Sequence, residues 1–362
     1  MEKKLKVGVL GATGMVGQNY VRLLANHPWF DISYLGASPR SAGKKYTDAV
    51  AGRWHMREAI PSKVAGMTVE DAGNVDNAVG KCSLVFSAIE MEKQAVLDLE
   101  AAYARKGSPV VSNNSAYRPV DDIPVIIPEI NADHLAIIPD QQKKRGFGKG
   151  FIVVKPNCSI QSYMIPIYAL IKAGYPISKM ILTTLQAVSG AGYPGPASID
   201  LIDNTVPFIS GEEEKSEVEP RKILGKVVGG KIVPDDSINI SAHCNRVPVT
   251  DGHTACCSVE FAGKKPEADE IIRIWRSFTA VPQQLKLPSA PVPPIVYSDE
   301  PNRPQPQKDR DNGKAMAVTV GRLRKCNVFD YRFVGLHHNT VRGAAGGSIL
   351  AAELLMAKGM VT

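Results

Sequence analysis

The chain has 362 residues, 44% of them hydrophobic and 22% charged, which is the composition of an ordinary globular protein long enough for two domains. Glycines interrupt the basic, then apolar start (Met1 to Leu10) before it reaches the length of a signal peptide or membrane span, so a cytoplasmic protein with no membrane partner is expected. Six cysteines without a C-x-x-C or paired ligand spacing argue against a disulfide framework or metal site, and a net charge of +7 spread along the chain suits an anionic small molecule rather than nucleic acid.

Lys6 to Leu10 is a short apolar run, Gly11-Ala12-Thr13-Gly14-Met15-Val16-Gly17 follows at once, and Val16, Tyr20, Leu23 and Leu24 repeat at helical spacing up to His27-Pro28. Strand, glycine turn and helix in this order open a dinucleotide-binding fold. The G-x-x-G-x-x-G spacing meets the usual demand for a tight turn and close backbone approach to a pyrophosphate. The next strand, Ile32 to Gly36, ends in Ala37-Ser38-Pro39-Arg40-Ser41, with no acidic residue for a ribose 2′-hydroxyl. Ser38 and Arg40 suit a 2′-phosphate, so NADP is expected over NAD; a solvated loop arginine is the plainer alternative.

No order is read into the polar stretch 43–66. Beyond it, Ser83 to Ala88 reads as a strand, Met91 to Lys106 as a helix, and Pro109 to Ser112 and Ile123 to Ile127 as strands, which implies a doubly wound parallel sheet. Asn113 to Arg118 sits just past a strand end, where ligands of such sheets lie. Lys143-Lys144-Arg145 reads as a surface loop.

An apolar strand, Phe151 to Val154, then runs into a helix whose face is Ile160, Tyr163, Met164, Ile167, Leu170 and Ile171, with Gly174 as its stop. Cys158 falls at its expected first turn, where free N–H groups and the helix dipole would favour a thiolate near neutral pH and could hold an oxyanion. A buried structural cysteine is the alternative. Farther on, β-rich runs (Met180 to Val188, Ile238 to Arg246, His253 to Ala262, Ala315 to Leu323, Val328 to Leu336) with few helices, such as Pro266 to Phe278, suggest a mostly antiparallel sheet in a second domain. Seven prolines from Pro288 to Pro306 point to an extended arm, and Thr340 to Ala357 to a final helix that returns to the first domain. The expected division is 1–157 with 338–362 for the cofactor, and 158–337 for catalysis and dimerisation.

With Gly11 to Gly17, Pro156-Asn157-Cys158-Ser159, Gln186-Ala187-Val188-Ser189-Gly190-Ala191-Gly192 and Arg246-Val247-Pro248-Val249-Thr250-Asp251-Gly252-His253 in this order, the sequence resembles the aspartate-semialdehyde dehydrogenases, most of all their archaeal and fungal branch. That resemblance implies interconversion of L-aspartate 4-semialdehyde, phosphate and NADP with L-4-aspartyl phosphate and NADPH, toward lysine, threonine and methionine, by a homodimer or homotetramer. It implies Cys158 as nucleophile, His253 as acid/base and Gln186 as a residue that orients the substrate. Arg246 would grip the substrate carboxylate, Glu212 and Lys215 would serve its amino group and the phosphate, and Arg118 would be a second phosphate ligand. Thr13, Met15, Val16, Ser38, Ser87, Ser189, Gly190 and Asn339 fall at cofactor positions beside Gly11, Gly14, Gly17 and Arg40.

The residues support that chemistry. A thiolate adds to the aldehyde, the adduct yields hydride to a nicotinamide, phosphate attacks the thioester, and His253 could take the first proton. Glu212 to Glu219 could instead be a solvated acidic face, and Arg246 a surface ion-pair partner. Three other functions compete: a malonyl-CoA or related acyl-CoA reductase, an N-acyl-glutamyl-phosphate reductase, and a non-catalytic NADP-binding redox sensor switched at Cys158. A Glu at position 212 favours a substrate with an amino group.

Overall fold

The computed structural model describes residues 4–362; Met1 to Lys3, where the basic N-terminal stretch begins, lie outside them. One six-stranded sheet has the order β3-β2-β1-β4-β5-β6, all parallel: β1 Leu5–Leu10, β2 Phe30–Ala37, β3 Glu70–Asp71, β4 Leu84–Ser87, β5 Val110–Ser112 and β6 Ile152–Val154. Its strands are apolar on both faces because helices cover both, as Val7, Val9, Leu84, Val85 and Phe86 show by their burial. The helices of eight residues or more are α1 Met15–Leu24, α2 Lys93–Arg105, α3 Ile138–Arg145, α4 Met164–Lys172, α5 Glu212–Ile223, α6 Ala268–Ser277 and α7 Gly346–Ala357. None of the described helices is long and apolar enough to cross a membrane.

The turn between β1 and α1 needs its glycines. Gly11 has φ +79°, and a Cβ there would stand 2.3 Å from the Ala88 carbonyl oxygen. A Cβ on Gly17 would stand 2.0 Å from that of Gly11. The polar stretch 43–66 is ordered from this turn: Gln18 donates to the Thr13 and Arg53 carbonyls and accepts from the His55 N–H, while the Tyr46 hydroxyl donates to the Ala12 carbonyl.

The second sheet has the order β10-β7-β11-β14-β13-β12, from β7 Ile177–Gln186, β10 Asn239–Arg246, β11 His253–Phe261, β12 Ile295–Ser298, β13 Val318–Lys325 and β14 Tyr331–His337. β8 Lys226–Val228 and β9 Lys231–Val233 form a separate hairpin. The central ladders of the six-stranded sheet are antiparallel, as expected, but each outermost ladder is parallel. The parallel pairing of β10 with β7 sets Arg246 opposite Gln186 at the same end of both strands.

Several local expectations are corrected. Ile123 to Ile127 makes a single bridge, Val125 to Val154, rather than a strand; Pro124 has no N–H to donate and Pro128 begins a helical turn. Lys143 to Arg145 closes α3 rather than lying in a loop, with Arg145 bonded to buried Asp122. The proline-rich arm contains a strand, β12, in its proline-free run, paired on one side only at the sheet edge. The final helix starts at Gly346, after an irregular turn, Val341–Ala345, in which Ala344 leaves helical geometry. α7 does return to the first sheet: Ile349, Leu350 and Leu354 share a core with Val7, Val9 and Phe86.

Candidate active site

The nucleophile turn is built by its neighbours. Lys155 N–H continues the β6 ladder onto the Ser112 carbonyl, and the chain then turns at Pro156. Asn157 folds back on itself: its Oδ1 accepts from the Ser159 N–H at 2.8 Å and from the Ser159 hydroxyl at 2.6 Å. Its Nδ2 donates to both oxygens of Glu212, and its backbone N–H to Glu219. Cys158 therefore opens a short 3₁₀ turn, Ser159–Ser162, which Tyr163 (φ −132°) separates from α4. The continuous helix expected from the periodicity is broken because the Ser162 carbonyl packs against Gly335 of β14, where a side chain would come within 2.0 Å of it. So short a turn brings little dipole.

The electrostatics of Cys158 correct the expectation of a thiolate near neutral pH in the free protein. Burial and the Glu212 carboxylate push its thiol up, against the pull of Lys155, Arg118 and Arg246. Lys155 itself, enclosed behind the turn, is brought down to about 7, first by burial and then by Arg118.

His253, the first residue of β11, lies with Nε2 3.3 Å from Cys158 Sγ, while its Nδ1 accepts the Ala187 N–H at 3.0 Å. That second bond fixes the neutral tautomer with its proton on Nε2, directed at sulfur. Burial, then Arg246, His338 and Lys155, hold the imidazolium well below its ordinary pKa, and a proton on Nδ1 would face the Ala187 N–H. At rest His253 thus directs its Nε2–H at the sulfur.

Arg246, buried at the end of β10, donates to the Ala187 carbonyl at 2.7 Å, so it is not a surface ion-pair partner. A Cβ on Gly190 would stand 3.0 Å from both Arg246 Nη1 and His253 Cε1, so the loop after β7 closes over both. Glu212, Ser216 and Glu219 form a buried face of α5, not a solvated one, and Lys215 meets Glu212 at 3.0 Å. Burial raises the Glu212 carboxyl, but Lys215, Gln186 and Asn157 outweigh it and hold the group below its usual range. Of the two carboxylates that follow, Glu213 accepts from the Cys244 N–H and Glu214 is exposed. Arg118 donates to Glu219, the Lys155 carbonyl and the Asn113 carbonyl, bracing the turn; of the five N–H groups of a guanidinium, two remain for an anion.

A cleft of about 800 Å³ runs between α1 and the loop after β7, lined by Met15, Ser189, Arg310, His338 and Thr340 among others. Asn339 donates to the Ser189 hydroxyl at 2.8 Å and accepts from the Gly252 N–H. Ser87 ends β4, buried and bonded by Asn114. Ser38 and Arg40 stand exposed after β2 and do not line this cleft. The glycine turn fits a dinucleotide: a Cβ on Gly14 would meet only Gly11 O, at 3.6 Å, so that face of the turn is open at the start of α1. Asn157, Glu219 and Lys155 escaped the reading of individual residues; for Glu219 the signal was its spacing, two helical turns beyond Glu212 on one face.

A model of the semialdehyde dehydrogenase NAD binding domain matches residues 6–138, and one of the semialdehyde dehydrogenase dimerisation domain matches residues 167–342. An aspartate-semialdehyde dehydrogenase of Cryptococcus neoformans is 45% identical over 99% of this chain and 98% of its own. One from Archaeoglobus fulgidus is 44% identical over 98% of each. The Candida albicans enzyme, in a crystal structure with NADP, superposes with a TM-score of 0.90 at 40% identity, over 99% of this chain and 100% of that one. Matched along nearly its whole length by these relatives and by both domain models, the chain belongs to the aspartate-semialdehyde dehydrogenase family.

Proposed function

We propose that this protein interconverts L-aspartate 4-semialdehyde and phosphate with L-4-aspartyl phosphate, using NADP. The observation that carries this reading is the Cys158–His253 pair at 3.3 Å, ringed by Gln186, Arg246, Glu212 and Lys215. Cys158 is the nucleophile. Its thiolate adds to the aldehyde carbon, and the His253 Nε2–H, which lies on the sulfur in the free protein, hydrogen-bonds the oxygen as negative charge develops there. Arg246 holds the substrate carboxylate, Gln186 and Glu212 the amino group, and Lys215 with the free N–H groups of Arg118 the phosphate that attacks the thioester. NADP, held by the glycine turn, Ser38, Arg40, Ser87, Ser189, Gly190 and Asn339, supplies the hydride acceptor when bound.

The substrate is read over its acyl-CoA rivals from Glu212, because malonyl-CoA offers no ammonium to a buried carboxylate. Purified protein should form NADPH from aspartate semialdehyde only when phosphate is present. Reduction of malonyl-CoA at comparable kcat/KM, or turnover indifferent to phosphate, would overturn the reading. We place the protein in the cytoplasm and divide it into a cofactor-binding part, 1–157 with 338–362, and a catalytic part, 158–337. Self-association, as a homodimer or homotetramer, would use the open face of the second sheet, where Ile181 and Cys256 are exposed and Thr183 and Leu185 half-buried.

A further inference from the structure

The α5 helix reaches two parts of the site through a single carboxylate, that of Glu219, which is buried on the same face as Glu212. Glu219 Oε2 accepts from the backbone N–H of Asn157, the residue before the nucleophile, at 2.6 Å. Its Oε1 accepts from Arg118 Nη1 at 3.1 Å. Asn157 follows β6 and Arg118 follows β5, neighbouring strands of the first sheet, so one side chain of the other half of the chain ties the two loops together. Lys222, about one turn farther along α5, donates to the Arg118 carbonyl at 2.7 Å and holds the backbone of the same loop. Packing alone does not ask for this arrangement, because a buried ion pair loses the hydration of both charges and apolar side chains of similar volume are often as stable. The reason lies in what its two partners do.

We propose that Glu219 is a positioning residue that fixes the Arg118 guanidinium and the nucleophile turn relative to each other, so that phosphate stands where it attacks the thioester. With Nε on the Lys155 carbonyl and Nη2 on the Asn113 carbonyl, the bond to Glu219 pins Arg118 at all three nitrogens, and its plane is set before an anion arrives. In the step it serves, a phosphate oxygen bonds to the acyl carbon, the C–S bond breaks and its electron pair returns to sulfur. A misplacement of about 1 Å between the two groups costs such a step about 10²-fold. Both oxygens of Glu219 are taken up by these partners, so it acts through Arg118 and Asn157 rather than on the reactants. The inference rests on the phosphate role proposed above for Arg118.

Glu219→Gln offers one acceptor oxygen to two donors. Asn157 stays held by Glu212 and by its own bonds to Ser159, so the loss falls on Arg118. Rapid mixing of this variant with aspartate semialdehyde and NADP should give a first-turnover burst of NADPH within about threefold of the unmutated rate, while kcat/KM for phosphate falls about thirtyfold. By charge alone the substitution would act the other way, since a carboxylate beside Arg118 repels the anion and its removal would lower the phosphate KM. Glu219→Asp keeps the charge but is one methylene short of its partners; it should show the same loss, and it serves where the amide variant does not fold. In the NADP-bound protein without aldehyde, Glu219→Gln should weaken inorganic phosphate about tenfold in calorimetry and add little once Arg118→Ala is present. Those two calorimetric results in a protein inactive on aspartate semialdehyde would sink the reaction and leave the positioning role standing. A phosphate kcat/KM unchanged or raised in the folded variants, a burst slowed as much as the phosphate step, or a calorimetric loss that adds in full to that of Arg118→Ala would overturn the proposal and leave Glu219 a packing residue.

Discussion

Cys158 and Glu212 oppose each other, and that opposition is measurable. Because burial and Glu212 raise the thiol, the main rise of Cys158 alkylation in the free protein should come at a pH above the ordinary thiol value of about 8.5. Glu212→Gln removes one of the two causes, so it should move this rise to lower pH while raising the KM for aspartate semialdehyde; a rise that stayed put would show that the carboxylate does not act on the sulfur. His253 is lowered by burial and Arg246, so it remains neutral down to below its ordinary value of about 6.5, and an acid limb of kcat/KM that belongs to it should lie below that pH. Cys158→Ala should abolish turnover and leave NADP affinity, read by calorimetry, nearly intact, since the thiol and the glycine turn are on separate elements. Arg40 is exposed beyond β2. Arg40→Ala should weaken NADP by about 1.5–3 kcal/mol and leave NAD untouched, as expected for a charged hydrogen bond to the 2′-phosphate; equal losses would place Arg40 elsewhere.

The site is held together by contacts between elements. Arg342, in the turn before α7, donates to both oxygens of Glu129 at 2.6 Å and to Gln161 at 3.0 Å, and Gln161 lies in the 3₁₀ turn that follows Cys158. Arg342 and Glu129 are both buried, so removing one partner leaves the other charge uncompensated. Glu129→Gln should cost about 3–5 kcal/mol in urea unfolding and should also lower kcat, through the nucleophile turn. A loss of stability with full activity in the folded fraction would mean that the pair only packs. On the other side, α5 supplies Glu212 and Glu219 to Asn157, so the turn that presents the nucleophile is clamped between the C-terminal segment and the second half of the chain.

At the scale of the whole molecule, the second sheet buries one face and leaves the other open. β7 alternates buried Met180, Leu182 and Thr184 with exposed Ile181 and half-buried Thr183 and Leu185. The family model that covers this half is a dimerisation domain, and the open face is the surface we assign to self-association. Ile181→Asp should shift the sedimentation coefficient toward that of a monomer; an unchanged assembly would move the interface elsewhere.

Local periodicity was enough for what local physics decides. The glycine turn, the strands β1, β2, β4, β5 and β6, the α1 and α2 helices and the position of Cys158 just past β6 are all legible, because each depends on residues close in sequence: steric freedom at Gly11 and Gly17, apolar runs, helical spacing; the two-residue β3, Glu70–Asp71, has no apolar run to announce it. The ordered motifs also carried the family, since the residue types and order of Cys158, Gln186, Arg246 and His253 are read directly from the chain without knowing what surrounds them. Tertiary structure alone decided the rest. The helix after Cys158 breaks because Gly335, far along the chain, lets β14 press on Ser162; the thiol rises because burial and Glu212 outweigh the nearby cations; and His253 becomes a donor because the Ala187 N–H occupies its other nitrogen. A side chain's charge and proton depend on what is packed around it, and those neighbours come together only when β6, β7, β10, β11, β14 and α5 converge on one point.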